Sequence, residues 1–81
     1  AGPLDQKTRE LIKLAFAIGA KLEGAAHSHS RRALAAGATP KEVLHVVLLG
    51  ITTLGFPSTI TALTWIADVL GRGRVRMKKK R

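Results

Sequence analysis

The 81-residue chain contains no cysteine and no tyrosine, one tryptophan and two phenylalanines, and five acidic residues against 14 Lys and Arg. Each scarcity removes a class of function. Without a thiol there is neither a disulfide staple nor a thiolate nucleophile, so disulfide exchange and thiol-peroxidase chemistry are excluded. No metal cage is obvious either. A chain of this length buries a modest fraction of its surface when it folds alone, and with both staples missing the expected source of further burial is self-association. The three aromatics, Phe16, Phe56 and Trp65, are expected to anchor the core and do not form a stacking platform for nucleobases. Long uninterrupted apolar runs are absent too. Residues 43–70 are apolar on the whole, but His45, Pro57 and Asp68 interrupt them, leaving stretches shorter than the ~20 apolar residues that a spanning helix needs. The segment therefore reads as a pair of buried helices and not as a membrane hairpin. No charged-then-apolar leader opens the sequence, and a cysteine-free chain suits a reducing cytoplasm, the expected location.

Charge is distributed unevenly. The formal net charge is +9, yet Arg72, Arg74, Arg76, Lys78, Lys79, Lys80 and Arg81 fall within residues 72–81, which hold no acid. Residues 1–71 carry the other seven basic residues against all five acids. Two regions follow: a domain over 1–71 and a basic tail over 72–81. The tail lacks an apolar face and is expected to stay disordered unless a partner orders it.

What is present is helical periodicity, and nothing reads as a strand. Leu11, Leu14, Ile18 and Leu22 recur at helical spacing behind Asp5, which predicts a first helix over roughly 5–22 with Asp5 as its N-cap. Glu10 lies beside that stripe, in line with Leu14 and Ala17, at the expected edge of the core. A second, Ala-rich helix is predicted over about 23–36, ending at Gly37; its small side chains let neighbouring backbones come close. Thr39, Pro40, Lys41 and Glu42 form a capping box with proline at the first helical position. The third helix that starts there is expected to run to about Leu54 and is apolar nearly all round. Gly55, Phe56 and Pro57 break it, and Ile60, Leu63, Ile66, Ala67 and Leu70 mark a fourth helix closed by Gly71. The predicted class is all-α, a small four-helix domain.

One framework of residues goes beyond helices. Glu10, Leu22, Ala25 and His29 are followed by Ala33, Ala36, Gly37, Ala38 and Thr39. With Leu4 to Ile12 as an opening helix and Gly55, Phe56, Pro57 and Ala62 as a final junction, this resembles the carboxymuconolactone decarboxylase and alkylhydroperoxidase D superfamily over most of residues 4–70. In that superfamily a helix carries Glu, a twelve-residue step reaches Cys-x-x-Cys, and His follows four residues on. Here Leu22 and Ala25 occupy both cysteine positions. The resemblance implies an alkylhydroperoxidase D-like fold assembled as a homo-oligomer, a trimer or a hexamer, with no cofactor. It implies a lyase reaction: loss of carbon dioxide from a small carboxylated lactone-like substrate, with movement of a double bond and without the redox branch.

Positions 22, 25 and 29 share one helix face, so His29 is expected to look onto a mainly apolar wall, with Glu10 orienting it and setting its proton affinity. On the resemblance Glu10 and His29 are the catalytic pair, and His45 and Arg31 are contacts for a substrate carboxylate. Plainer alternatives stand beside each. His29 also reads as a hydrogen-bonded core or interface residue, His45 as a satisfied buried histidine, and Arg31 and Arg32 as solvated or ion-paired side chains. His27 and His29 are separated by about 200° on a helix, so no shared metal is expected and His27 reads as a solvent or subunit-contact residue. A second class of function also fits: a non-catalytic homo-oligomeric module whose basic tails bind nucleic acid or another polyanion. No helix-turn-helix, zinc finger or phosphate loop is recognisable.

Overall fold

The computed structural model describes the backbone of residues 2–78 and the side chains of residues 2–71. Within them the regular structure is helical: α1 (Gln6–Gly19), α2 (Glu23–Ala35), α3 (Pro40–Leu48), α4 (Gly50–Thr53) and α5 (Phe56–Lys78). The expected all-α class holds. Two helix starts are built from the side chains that announce them. Asp5 caps α1 by accepting from the Thr8 N–H at 2.8 Å. At α3 the Glu42 N–H donates to Thr39 Oγ1 (3.0 Å) while the Thr39 N–H donates to Glu42 Oε1 (2.9 Å), which closes the capping box. Lys7 Nζ lies 3.3 Å from Glu42 Oε2 and ties the start of α1 to the start of α3.

The packing is organised around α2. Its buried residues, Ala26, Ser30 and Ala33, recur at i, i+4 and i+7 and are all small, so α1 and α5 can both approach its backbone closely. On α1 the buried stripe is Glu10, Leu14, Ala17 and Ile18. Val43 and Val47 of α3 and Ala62, Ile66 and Val69 of α5 complete an aliphatic core. No helix among the described residues is long and apolar enough to cross a membrane.

The structure differs from the sequence expectation at four places. The first helix stops at Gly19 and not at Leu22, because Lys21 takes a left-handed conformation (φ 61°). The Leu22 N–H then reaches Ala17 O (2.8 Å) and the Lys21 N–H reaches Ile18 O (3.1 Å), a Schellman ending that satisfies otherwise orphaned carbonyls. The expected third helix is broken at Leu49 into α3 and the short α4. Gly50 sits at the break, where a Cβ would lie 3.0 Å from Thr59 Oγ1, a tight approach of α4 to α5 that the missing side chain relieves.

Gly71 does not close the last helix, which continues through Lys78. An interior glycine costs only about 1 kcal/mol against alanine, and no proline follows to stop the chain. Residues 79–81 of the expected disordered tail lie outside the described residues. Finally, the aromatics are not core anchors. Phe16 is 71% and Phe56 60% exposed, and Trp65 is half-buried. The fully buried residues of α2 are the small Ala26, Ser30 and Ala33, which bring neighbouring helices close, and the phenylalanines lie outside.

Candidate active site

α1 and α2 form a hairpin through the short turn at residues 20–22, and this turn decides which side chains meet. Glu10 stands one turn before Leu14 on the buried stripe of α1 and is 8% exposed. His29 precedes the fully buried Ser30 on α2. His29 Nδ1 and Glu10 Oε1 are 2.7 Å apart, with side-chain exposures of 19% and 10%. The contact spans 19 residues of sequence.

The hydrogen bond from His29 holds the Glu10 carboxyl below the usual carboxylate range, against burial, which pushes it up; the charges of His29, Lys13 and Arg32 lower it further. Glu10 is therefore ionised at neutral pH and can only accept. It follows that His29 Nδ1 carries the proton in the bond, and the neutral ring keeps its lone pair on Nε2. No buried side-chain nitrogen or oxygen among the described residues lacks a hydrogen-bond partner. Since Nε2 has none there, it is open to the surroundings. Chemically this is a tautomer-locked imidazole with a free basic nitrogen, backed by a fixed anion.

The remaining sequence candidates do not join this pair. His45, expected as a buried histidine or a pocket residue, is exposed on α3, because only Val43 and Val47 turn inward there. Arg31 is also exposed, and neither residue makes a hydrogen bond with Glu10 or His29. Arg32, one turn beyond His29, and Lys13, one turn beyond Glu10, are the cations whose charge reaches the carboxylate. The i, i+3 spacing from each member of the pair was the sequence signal for both. The expected apolar wall beside His29 is incomplete: Ala25 packs against the core, but Leu22 is 53% exposed.

His27 is engaged elsewhere, with Nε2 lying 2.9 Å from Asp68 Oδ2 of α5. The two imidazoles thus point to opposite sides of α2, as their angular separation requires. Asp68 as a partner was not foreseen, although a lone acid inside the apolar stretch of α5 was the available cue. Among the described residues no group of three or more His, Cys, Asp or Glu side chains could hold a metal ion.

Three cavities among the described residues lie elsewhere. A groove of about 340 Å³ runs between α1 and α3–α4, lined by Leu11, Ile12, Ala15, Leu49 and Leu54 among others. Cavities of about 180 and 520 Å³ lie beside Trp65 and beside Leu44 and Leu70. Neither Glu10 nor His29 lines any of the three.

The model of the carboxymuconolactone decarboxylase family matches residues 1–68. No curated protein and no solved structure matches the chain.

Proposed function

We propose that this chain, which belongs to the carboxymuconolactone decarboxylase family, acts in the cytoplasm as a thiol-free acid/base lyase on a small carboxylated substrate. The observation that carries the reading is the 2.7 Å bond between the buried carboxylate of Glu10 and His29 Nδ1, which leaves Nε2 for proton transfer. In the decarboxylation, the bond between the substrate carbon and its carboxylate breaks and carbon dioxide leaves. The electron pair passes into the conjugated system as an enolate, and the protonated Nε2 delivers a proton to the remote carbon as the double bond moves. The ring is left neutral with its lone pair on Nε2, and a proton taken up there from solvent charges it for the next turnover. Isomerisation uses the same relay without carbon–carbon cleavage. Glu10 stabilises the imidazolium and holds the ring; Lys13 and Arg32 supply positive charge toward a substrate carboxylate. No step needs sulfur.

The active form is a homo-oligomer. Ile12, Leu49 and Leu54 are exposed along the 340 Å³ groove, an apolar surface that suits a second subunit. Sedimentation velocity checks this: a monomer at micromolar concentration would remove the assembly from the proposal.

Turnover of a panel of unsaturated carboxylated lactones, followed by carbon dioxide release, tests the chemistry. His29→Gln and Glu10→Gln are expected to lower kcat by about 10²–10⁴-fold, the usual contribution of a positioned acid or base. His27→Gln is expected to stay within about twofold of the unaltered chain. Full turnover by the His29→Gln variant would end the assignment.

A further inference from the structure

The cavity of about 180 Å³ beside Trp65 lies where the end of α1 and its turn meet the first part of α5. Ile18 and Lys21 line it from one side, and Pro57, Ser58, Thr61 and Trp65 from the other. The lining divides by chemistry. Ile18, Pro57 and Trp65 are apolar walls, and Trp65 also packs against the core. The Thr61 hydroxyl is committed, donating to Pro57 O at 3.0 Å. The side chains of Lys21 and Ser58 make no hydrogen bond or ion pair with another described residue, so an ammonium and a hydroxyl remain as donors. The backbone adds an independent observation. Lys21 is the one non-glycine among the described residues with a left-handed φ, 61°, a conformation that glycine takes without a Cβ clash. The fold alone is better served by glycine there, and residues held in disfavoured backbone regions gather at ligand sites. The side chain that strains the turn is the one that brings a cation to the cavity.

Size and lining together select a ligand. An apolar cavity of about 150 Å³ takes one benzene ring, so about 180 Å³ holds a single ring with a small substituent. An inorganic anion would satisfy Lys21 but leave the apolar walls bare, and a plain hydrocarbon ring would fill the walls but leave the cation unmatched. An aromatic ring finds an edge or offset partner in the indole, and a carboxylate on that ring accepts charge-assisted hydrogen bonds from an ammonium. We propose that this cavity is a binding site for a small aromatic carboxylate, with the ring against Trp65 and the carboxylate held by Lys21 and Ser58. The site shares no residue with the Glu10–His29 pair, so its failure and that of the lyase reading are separate outcomes.

Trp65 is the single tryptophan of the chain, so the intrinsic fluorescence of the full chain reads occupancy of the cavity it lines. Titration with benzoate at constant ionic strength should change the emission saturably, with a midpoint of about 1 mM, which is within reach of a ligand of so few atoms. Benzamide keeps the ring and loses the charge, and it should bind about tenfold more weakly. Lys21→Gly should also weaken benzoate about tenfold while raising the midpoint of thermal unfolding, a pair of opposite changes that a purely structural lysine would not give. Lys21→Arg keeps the cation and should stay within about threefold of the unaltered chain, and Ser58→Ala should weaken binding about threefold. His29→Gln should bind benzoate as the unaltered chain does. No saturable change with benzoate in the millimolar range would overturn the site. Equal affinity for benzamide, or benzoate binding unaltered in Lys21→Gly, would overturn the recognition of a carboxylate. Loss of binding in His29→Gln would overturn the placement and move the ligand to the acid/base pair.

Discussion

Two residues apart on α2, the same chemical pairing is made twice under different conditions. His29 turns toward α1 and meets Glu10 at 2.7 Å with side-chain exposures of 19% and 10%. His27 turns toward α5 and meets Asp68 at 2.9 Å with exposures of 33% and 56%. The distances are close to equal, so geometry does not distinguish the pairs; water does. Around Asp68, solvent and salt screen the interaction, and an exposed pair of this kind contributes little. Around Glu10 the charge is largely withdrawn from water, the local dielectric is lower and the bond to the imidazole must replace lost hydration. A histidine beside a carboxylate is common; one whose tautomer is locked by a buried anion is a candidate for chemistry.

The contrast should be broken most visibly by deleting each carboxylate. Glu10→Ala is expected to cost about 2–3 kcal/mol in urea unfolding, since it removes the charged partner of a buried hydrogen bond. Asp68→Ala should cost less than about 1 kcal/mol. Equal losses would mean that burial does not separate the two pairs.

Acid titration sharpens the same difference. The Glu10 carboxyl is held below its ordinary value of 4.5, first by the His29 bond. Because the folded pKa is depressed, its contribution to stability is complete above the unfolded pKa and is lost as pH falls through the folded one. Thermal melts between pH 2 and 7 should therefore show a shallower acid limb in Glu10→Gln. The limb that remains comes partly from Asp5 and Glu42, whose carboxyls are also held low, Asp5 chiefly by Thr8 and Glu42 chiefly by the Thr39 backbone N–H. In about 1 M salt, where screening acts within about 3 Å, the Glu10 limb should persist.

The smallest expected effect is at the turn that brings α1 and α2 together. Lys21→Gly should stabilise the chain by about 0.5–1 kcal/mol, because glycine adopts the positive φ of 61° without the Cβ clash that lysine bears. The acid limb due to Glu10 should not change, since the register of the hairpin is preserved. A flattened limb in Lys21→Gly would show that the substitution alters the register of the hairpin.

Local signals were legible in proportion to how little they depended on distant residues. Asp5 and the Thr39–Glu42 box announced two helix starts because a cap is made within one turn. Gly37 announced a helix end, whereas Lys21 concealed one: the backbone conformation is similar, but lysine is not a residue type that advertises it. The alternation of contacts along α3 was hidden because the helix is apolar nearly all round, so periodicity could not say which side is covered. His45 consequently turned out to be exposed and the break at Gly50 went unseen. Phe16 and Phe56 were expected inside on hydrophobicity alone, and both lie outside.

By itself the sequence determined the absence of sulfur chemistry, the helical class, the principal caps and the identity of one acid and one base at a family-like spacing, because composition and short-range hydrogen bonding are properties of neighbouring residues. Tertiary structure alone decided that Glu10 is buried against His29, that His27 meets an acid 41 residues away, and that Arg32 and not Arg31 bears on the carboxylate. Each of these depends on which helix face is covered and how closely two backbones approach. That is settled by the whole set of packed side chains and not by any one stretch of the chain.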